Sequence, residues 1–135
     1  MIFYMEDDPA DAQFLAEVLE ELGYDCEIFN RADKLISALD RATLLFLDID
    51  LPDMSGVEIL RNIRRIPKYR NLPVVMLTVS GHAITVQITR VIGANLFIEK
   101  SKNFYYFRDT ISQALATDFS KPVSADAFFI PKGGG

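Results

Sequence analysis

The stretch Leu44-Leu45-Phe46-Leu47-Asp48-Ile49-Asp50-Leu51-Pro52-Asp53-Met54-Ser55-Gly56 decides the fold. Four apolar residues run without a polar break into a carboxylate, and turn-forming residues follow. Such a run reads as a strand buried on both faces, whose terminal carboxylate escapes the core only by facing a solvated crevice. The N-terminus repeats the pattern, because Ile2-Phe3-Tyr4-Met5 delivers Glu6, Asp7 and Asp8. Two strands therefore end in acid.

Working outward, Asp8 is placed to cap a helix with Pro9 at its first position and Asp11 in its first turn. Ala12, Leu15, Ala16, Leu19 and Leu22 continue it at helical spacing, and Gly23 supplies the stop. Residues 25–30 predict a second strand, and Ala32, Leu35, Ile36 and Leu39 a second helix. Beyond the opening stretch, Gly56 begins a third helix through Ile59, Leu60, Ile63 and Ile66, which Pro67 ends. Residues 73–78 predict a fourth strand. The segment 83–92 is rich in β-branched residues, which lowers helix propensity, yet Ile84, Ile88, Val91 and Ile92 share one face and predict a helix buried along that stripe. Leu96-Phe97-Ile98 marks a fifth strand, and Phe104, Phe107, Ile111, Ala114 and Leu115 a fifth helix.

Five strands alternating with five helices predict an α/β protein with a doubly wound parallel sheet covered on both faces. One domain is expected over residues 1–117, followed by a tail over 118–135. Phe119, Val123, Phe128, Phe129 and Ile130 make that tail too apolar for a linker, so it is expected to pack on its own domain or on a neighbouring copy. Gly133-Gly134-Gly135 reads as an added remnant or a native flexible end.

Composition narrows the function. The chain has 135 residues, 50% hydrophobic and 24% charged, with a net charge of −5, enough for one well-buried core. An acidic chain lacks the Lys/Arg-rich face that nucleic acid requires, and the basic run Arg61 to Arg70 reads as a solvated helix face plus a loop. The single cysteine, Cys26, excludes an internal disulfide and reads as a buried thiol. No stretch approaches the roughly 20 apolar residues that span a bilayer, and no basic leader opens the chain, so a cytoplasmic protein without membrane contact is expected. One histidine, His82, excludes a histidine-based metal cluster and reads as a solvated helix start.

In open parallel sheets, ligands bind beyond the carboxyl ends of the strands. Here those ends carry Glu6-Asp7, Asp48, Thr78-Val79-Ser80 and Glu99-Lys100. Two carboxylates about 4 Å apart repel by about 4 kcal/mol at an effective dielectric of about 20, so three together call for a proton or a cation. All-oxygen ligands select a hard divalent ion such as Mg²⁺. A carboxylate beside such an ion can attack phosphorus and form an acyl phosphate, with Lys100 and the Thr78 hydroxyl holding the phosphoryl oxygens.

The set Glu6-Asp7, Asp48 followed by Leu51-Pro52 and Gly56, Thr78 and Lys100 resembles the receiver domain of bacterial two-component response regulators, from about residue 2 to about residue 116. The resemblance implies a flavodoxin-like sheet of order 2-1-3-4-5. It implies Asp48 as phosphoacceptor, with Mg²⁺ held by Glu6, Asp7, Asp48 and the backbone carbonyl of Asp50. Thr78 and Lys100 would contact the phosphoryl group, and Thr78 and Phe97 would form the switch. The implied donor is a sensor histidine kinase or phosphotransfer protein, and the signal would leave through the face of the fourth helix, fifth strand and fifth helix to a protein partner or a second copy. Such a module is a phosphoacceptor and not a turnover enzyme.

The chain departs from the family at Ser101, where a cis-proline usually follows the lysine, at the bulky Val79, and at the extra acid Asp50. Tyr105, Tyr106 and Val86 fall off their helices' expected buried stripes and suggest a partner surface. Two rival readings remain. Asp48-Ile49-Asp50 resembles the nucleophile and general-acid pair of haloacid-dehalogenase-type phosphatases, although that family carries the motif on its first strand and has Thr or Val where Pro52 stands. The other is a receiver-like scaffold that is never phosphorylated.

Overall fold

The apolar runs build the sheet expected of them. In the computed structural model, which describes residues 1–133, β1 (Ile2–Met5), β2 (Cys26–Phe29), β3 (Leu44–Asp48), β4 (Val74–Thr78) and β5 (Leu96–Glu99) are all parallel, in the order β2-β1-β3-β4-β5. Every residue of β1, β3 and β4 is buried, as central strands covered on both faces must be.

Alternate side chains serve two cores. Ile2, Tyr4, Phe46, Val75, Leu77 and Ile98 pack beneath α1 (Pro9–Glu21) and α5 (Phe104–Ala116) through Leu15, Leu19, Phe107 and Ile111. Phe3, Met5, Leu45, Leu47, Met76 and Phe97 face α2 (Ala32–Ala38), α3 (Gly56–Arg65) and α4 (Ala83–Ile92) through Leu35, Ile59, Leu60 and Ile63. Local chemistry sets the ends: Asp8 caps α1 by accepting from Ala10 N at 3.0 Å with Pro9 in the first turn, and Gly23 follows with φ +89°. Among the described residues no helix is long and apolar enough to cross a membrane.

The expectation of five strands and five helices falls short by one of each. A helical turn, α6 (Ala125–Phe128), leads into β6 (Phe129–Ile130), which pairs with β5 in parallel at Phe97↔Phe129 and Ile98↔Ile130. Two residues are too short to show a strand period, but Phe128, 2% exposed, supplies the apolar anchor. The tail thus docks on its own domain. The reading of the closing glycines falls at residues 134 and 135 outside the described residues.

Two other expectations are corrected. Helix α4 turns the opposite face inward: Thr89 is fully buried, while Ile84, Ile88 and Val91 are exposed by 75%, 42% and 76%. Thr89 is accommodated because its hydroxyl donates to the Val86 carbonyl at 2.9 Å, while Val86 and Ile92 pack on the core. Nor is Arg64 a solvated helix residue. Its guanidinium donates to the carbonyls of Gly93, Tyr69 and Leu72 and to Asn95 Oδ1 at 2.7–3.0 Å, tying the end of α3 to α4 and β4. Planar multi-donor geometry suits arginine to such a knot.

Candidate functional site

Register brings the strand ends together. Met5 pairs with Leu47, Asp48 with Leu77 and Thr78 with Glu99, so Glu6 stands level with Asp48 and Lys100 emerges one residue past the Thr78 row. The Lys100 amide donates to the Thr78 carbonyl at 2.7 Å, fixing the exit of β5. Lys100 Nζ then lies 2.6 Å from Glu6 Oε1, 2.7 Å from Asp48 Oδ2 and 3.1 Å from Asp11 Oδ2. The Lys100 side chain is 12% exposed and those of Glu6 and Asp48 are 2% and 4% exposed, so this contact is shielded from solvent screening.

Each group is further oriented. Tyr4, buried in β1, donates its hydroxyl to Glu6 Oε1 at 2.8 Å, and the amides of Asp7 and Asp8 donate to Glu6 Oε2 at 3.2 and 3.3 Å. Burial, with the Glu6 carboxylate alongside, pushes the Tyr4 phenol far above its ordinary range. Asp48 Oδ1 accepts from the Asp50 amide at 2.8 Å. The Thr78 hydroxyl, in a residue 3% exposed, donates to Asp50 Oδ2 at 3.0 Å.

The charge balance is unusual. Burial and a hydrogen bond shared with Glu6 push Asp48 up to about 7, against the pull of Lys100. Glu6 also feels burial, which opposes ionisation, but the bonds from Asp48 and Lys100 bring it down to about 2. Below about pH 7 the two acids thus share one proton, as neighbouring carboxylates do.

Of the residues the sequence singled out, the structure brings together Glu6, Asp48 and Lys100, with Thr78 and Asp50 adjoining. Asp7 is exposed and stands outside this group. Asp11 joins it: one carboxylate oxygen from each of Glu6, Asp11 and Asp48 lies within 4.8 Å of the others, an all-oxygen donor set that suits a hard divalent ion. Asp11 reads in the sequence only as a first-turn helix acid. Its position one helical turn beyond the strand-end acids is the signal that marks it. Every peptide bond among the described residues is trans, including Lys100–Ser101. Phe97 is fully buried, with its ring 5.7 Å from Phe129 and 6.5 Å from Phe128. Tyr106, expected on a partner surface, donates instead to the Pro131 carbonyl of the tail at 2.8 Å.

Gly56 holds the acidic loop against α3. Its amide donates to the Ile49 carbonyl at 3.0 Å, and a Cβ there would collide with the Asp48 carbonyl oxygen and lie 2.8 Å from Ile49 Cα. Gly56→Ala is therefore expected to lower the unfolding free energy by about 2 kcal/mol or more, because backbone and not a flexible side chain must move. Urea denaturation reads this directly, and an unchanged midpoint would show that the loop relaxes freely.

Comparison with known proteins agrees with this geometry. The family model described as the response regulator receiver domain matches residues 2–112. Response regulator Rcp1 of Synechocystis is 30% identical over 114 residues, covering 76% of this chain and 78% of that protein. The CpxR homologue of Haemophilus influenzae, a transcriptional regulatory protein, is 32% identical over 96 residues, but the chain spans only 39% of its length. The crystal structure of the Mn²⁺-bound form of Rcp1 superposes with a TM-score of 0.73 at 25% identity, covering 91% of this chain and 96% of that one. The chain belongs to the response regulator receiver domain family, the receiver modules of two-component signalling.

Proposed function

We propose that Asp48 is the phosphoacceptor, charged by a sensor histidine kinase or a phosphotransfer protein. The supporting observation is the position of its carboxylate at the mouth of β3, 2.7 Å from the Lys100 ammonium and level with Glu6. One Asp48 oxygen attacks phosphorus, the phosphorus bond to the donor breaks, and the donor leaves with the electron pair. Lys100 exchanges its carboxylate partners for phosphoryl oxygens, and Thr78 leaves Asp50 to donate to the same group. Asp48, Glu6, Asp7 and the Asp50 carbonyl, with Asp11 as a further carboxylate, would hold Mg²⁺, which would neutralise charge on the transferring group. The Mn²⁺-bound form of Rcp1 supports a divalent ion in this family.

Residues 1–117 act as the receiver and residues 118–133 as an appendage on its β5 edge. The module is a phosphoacceptor rather than a turnover enzyme, in the cytoplasm, and it signals to a protein partner or a second copy through the face of α4, β5 and α5. Asp50, which accepts from Thr78, acts in this reading as a modifier of the site rather than as a general acid. Incubation with acetyl phosphate and Mg²⁺ is expected to add one phosphoryl group per chain and to release one equivalent of acetate. Continuous hydrolysis of an aryl phosphate would instead support a phosphatase.

A further inference from the structure

The tail ends on the loop that follows Thr78. Lys132 Nζ donates to the Val79 carbonyl at 3.3 Å. The Glu99 carboxylate bridges the two segments, accepting from the Gly81 amide at 2.8 Å and from the Lys132 amide at 3.0 Å. These amides hold Glu99 below the usual carboxylate range. Gly81 lies directly on the aromatic cluster: a Cβ there would sit 2.8 Å from the Phe129 ring and 3.3 Å from Phe97. Tyr106 fastens Pro131 from the α5 side.

This arrangement changes what can move. Phe97 is fully buried, and Phe129, its partner in the β5–β6 ladder, packs edge-on against its ring at the sheet edge, so an outward swing of Phe97 is barred while the tail is docked. The Thr78 hydroxyl is bonded to Asp50 and meets the amide and the carbonyl of Ser80 at 3.4 Å, so turning it toward a group on Asp48 withdraws it from the residues that follow it and releases them to shift. Those residues, Val79 and Gly81, supply the carbonyl and the amide that meet Lys132 and Glu99. Displacement of Thr78 and closure of the tail therefore compete for one loop.

We propose that residues 125–132 form a latch on the loop after β4, that phosphorylation at Asp48 opens it, and that the closed latch in turn disfavours the phosphorylated state. The latch rests on Asp48 being the phosphoacceptor. Reciprocity follows from linkage, since whatever phosphorylation does to the latch, the latch does to the phosphorylation equilibrium.

Hydrogen exchange on the full chain, with and without acetyl phosphate and Mg²⁺, tests this while intact mass on the same samples reports phosphate gain. Phosphorylated chains are expected to exchange the amides of Gly81, Phe129, Ile130 and Lys132 about tenfold faster or more, with the Phe97 amide remaining protected. Full phosphorylation with unchanged exchange at these amides would overturn the latch alone. Absence of any mass gain would overturn the Asp48 reading and the latch with it. Phe129→Ala, which removes the ring beneath Gly81, is expected to reach a ratio of phosphorylated to unphosphorylated chain about fivefold higher than the parent at the same acetyl phosphate and acetate concentrations. An equal or lower ratio in a variant whose β1 and β3 amides stay protected would also overturn the coupling.

Discussion

Between about pH 5 and about pH 8, the unfolding free energy of the Mg²⁺-free protein is expected to fall by about 2 kcal/mol, a slope that Asp48→Asn removes. Asp48 keeps its proton up to about 7 in the fold, against 3.8 for an ordinary aspartate, because burial and the bond to Glu6 oppose ionisation. Between those two values the folded chain holds a proton that the unfolded chain has released, so raising the pH favours unfolding. Glu6 acts with the opposite sign, since its value is lowered from 4.5 to about 2. Its stabilising contribution is lost only as pH falls below 4.5, outside the window. An asparagine at 48 donates to Glu6 as the protonated acid does, but without titrating. Urea denaturation at a series of pH values in chelator reads the two slopes, and a wild-type stability that rises over this range would contradict the shared proton.

Lys100→Met is expected to be the most destabilising substitution at the site, at about 3 kcal/mol or more near pH 8 without metal. Burial opposes the Lys100 charge, but Asp48 and Glu6 more than compensate and hold its ammonium above the ordinary lysine range. Removing it strands three carboxylates within 4.8 Å of one another. The loss should shrink near pH 5, where Asp48 is protonated. Mg²⁺ should restore more stability to Lys100→Met than it adds to the parent, because the ammonium occupies the space between the same oxygens and competes with a bound cation. Equal Mg²⁺ stabilisation of both proteins, read as the shift in denaturation midpoint, would place the ion away from these oxygens.

The central sheet was legible because β1, β3 and β4 are buried on both faces and carry no polar residue before their last position. Helix α1 was equally plain from Asp8, Pro9 and Gly23. Helix α4 was not, since Ile84, Ile88 and Val91 form a regular apolar stripe that the fold leaves outside, and periodicity identifies a stripe without saying what covers it. Arg64 escaped for the converse reason: a charged residue on a helix reads as solvated unless the carbonyls that receive it are known. At the site, position along the strand ends identified Asp48, Glu6, Thr78 and Lys100. Asp11 and Tyr4 belong to it through distances that only the folded chain defines. The apolar tail announced that it would dock, but two residues of ladder are too few to declare a strand.

The most direct measurement is peptide-resolved mass spectrometry after acetyl phosphate treatment, with Mg²⁺ or with chelator. A single phosphoryl group on the peptide containing Asp48, present with Mg²⁺ and absent in Asp48→Asn, is the predicted result. Equal labelling of Asp48→Asn, or phosphate carried on a different peptide, would contradict the assignment of Asp48 as the phosphoacceptor.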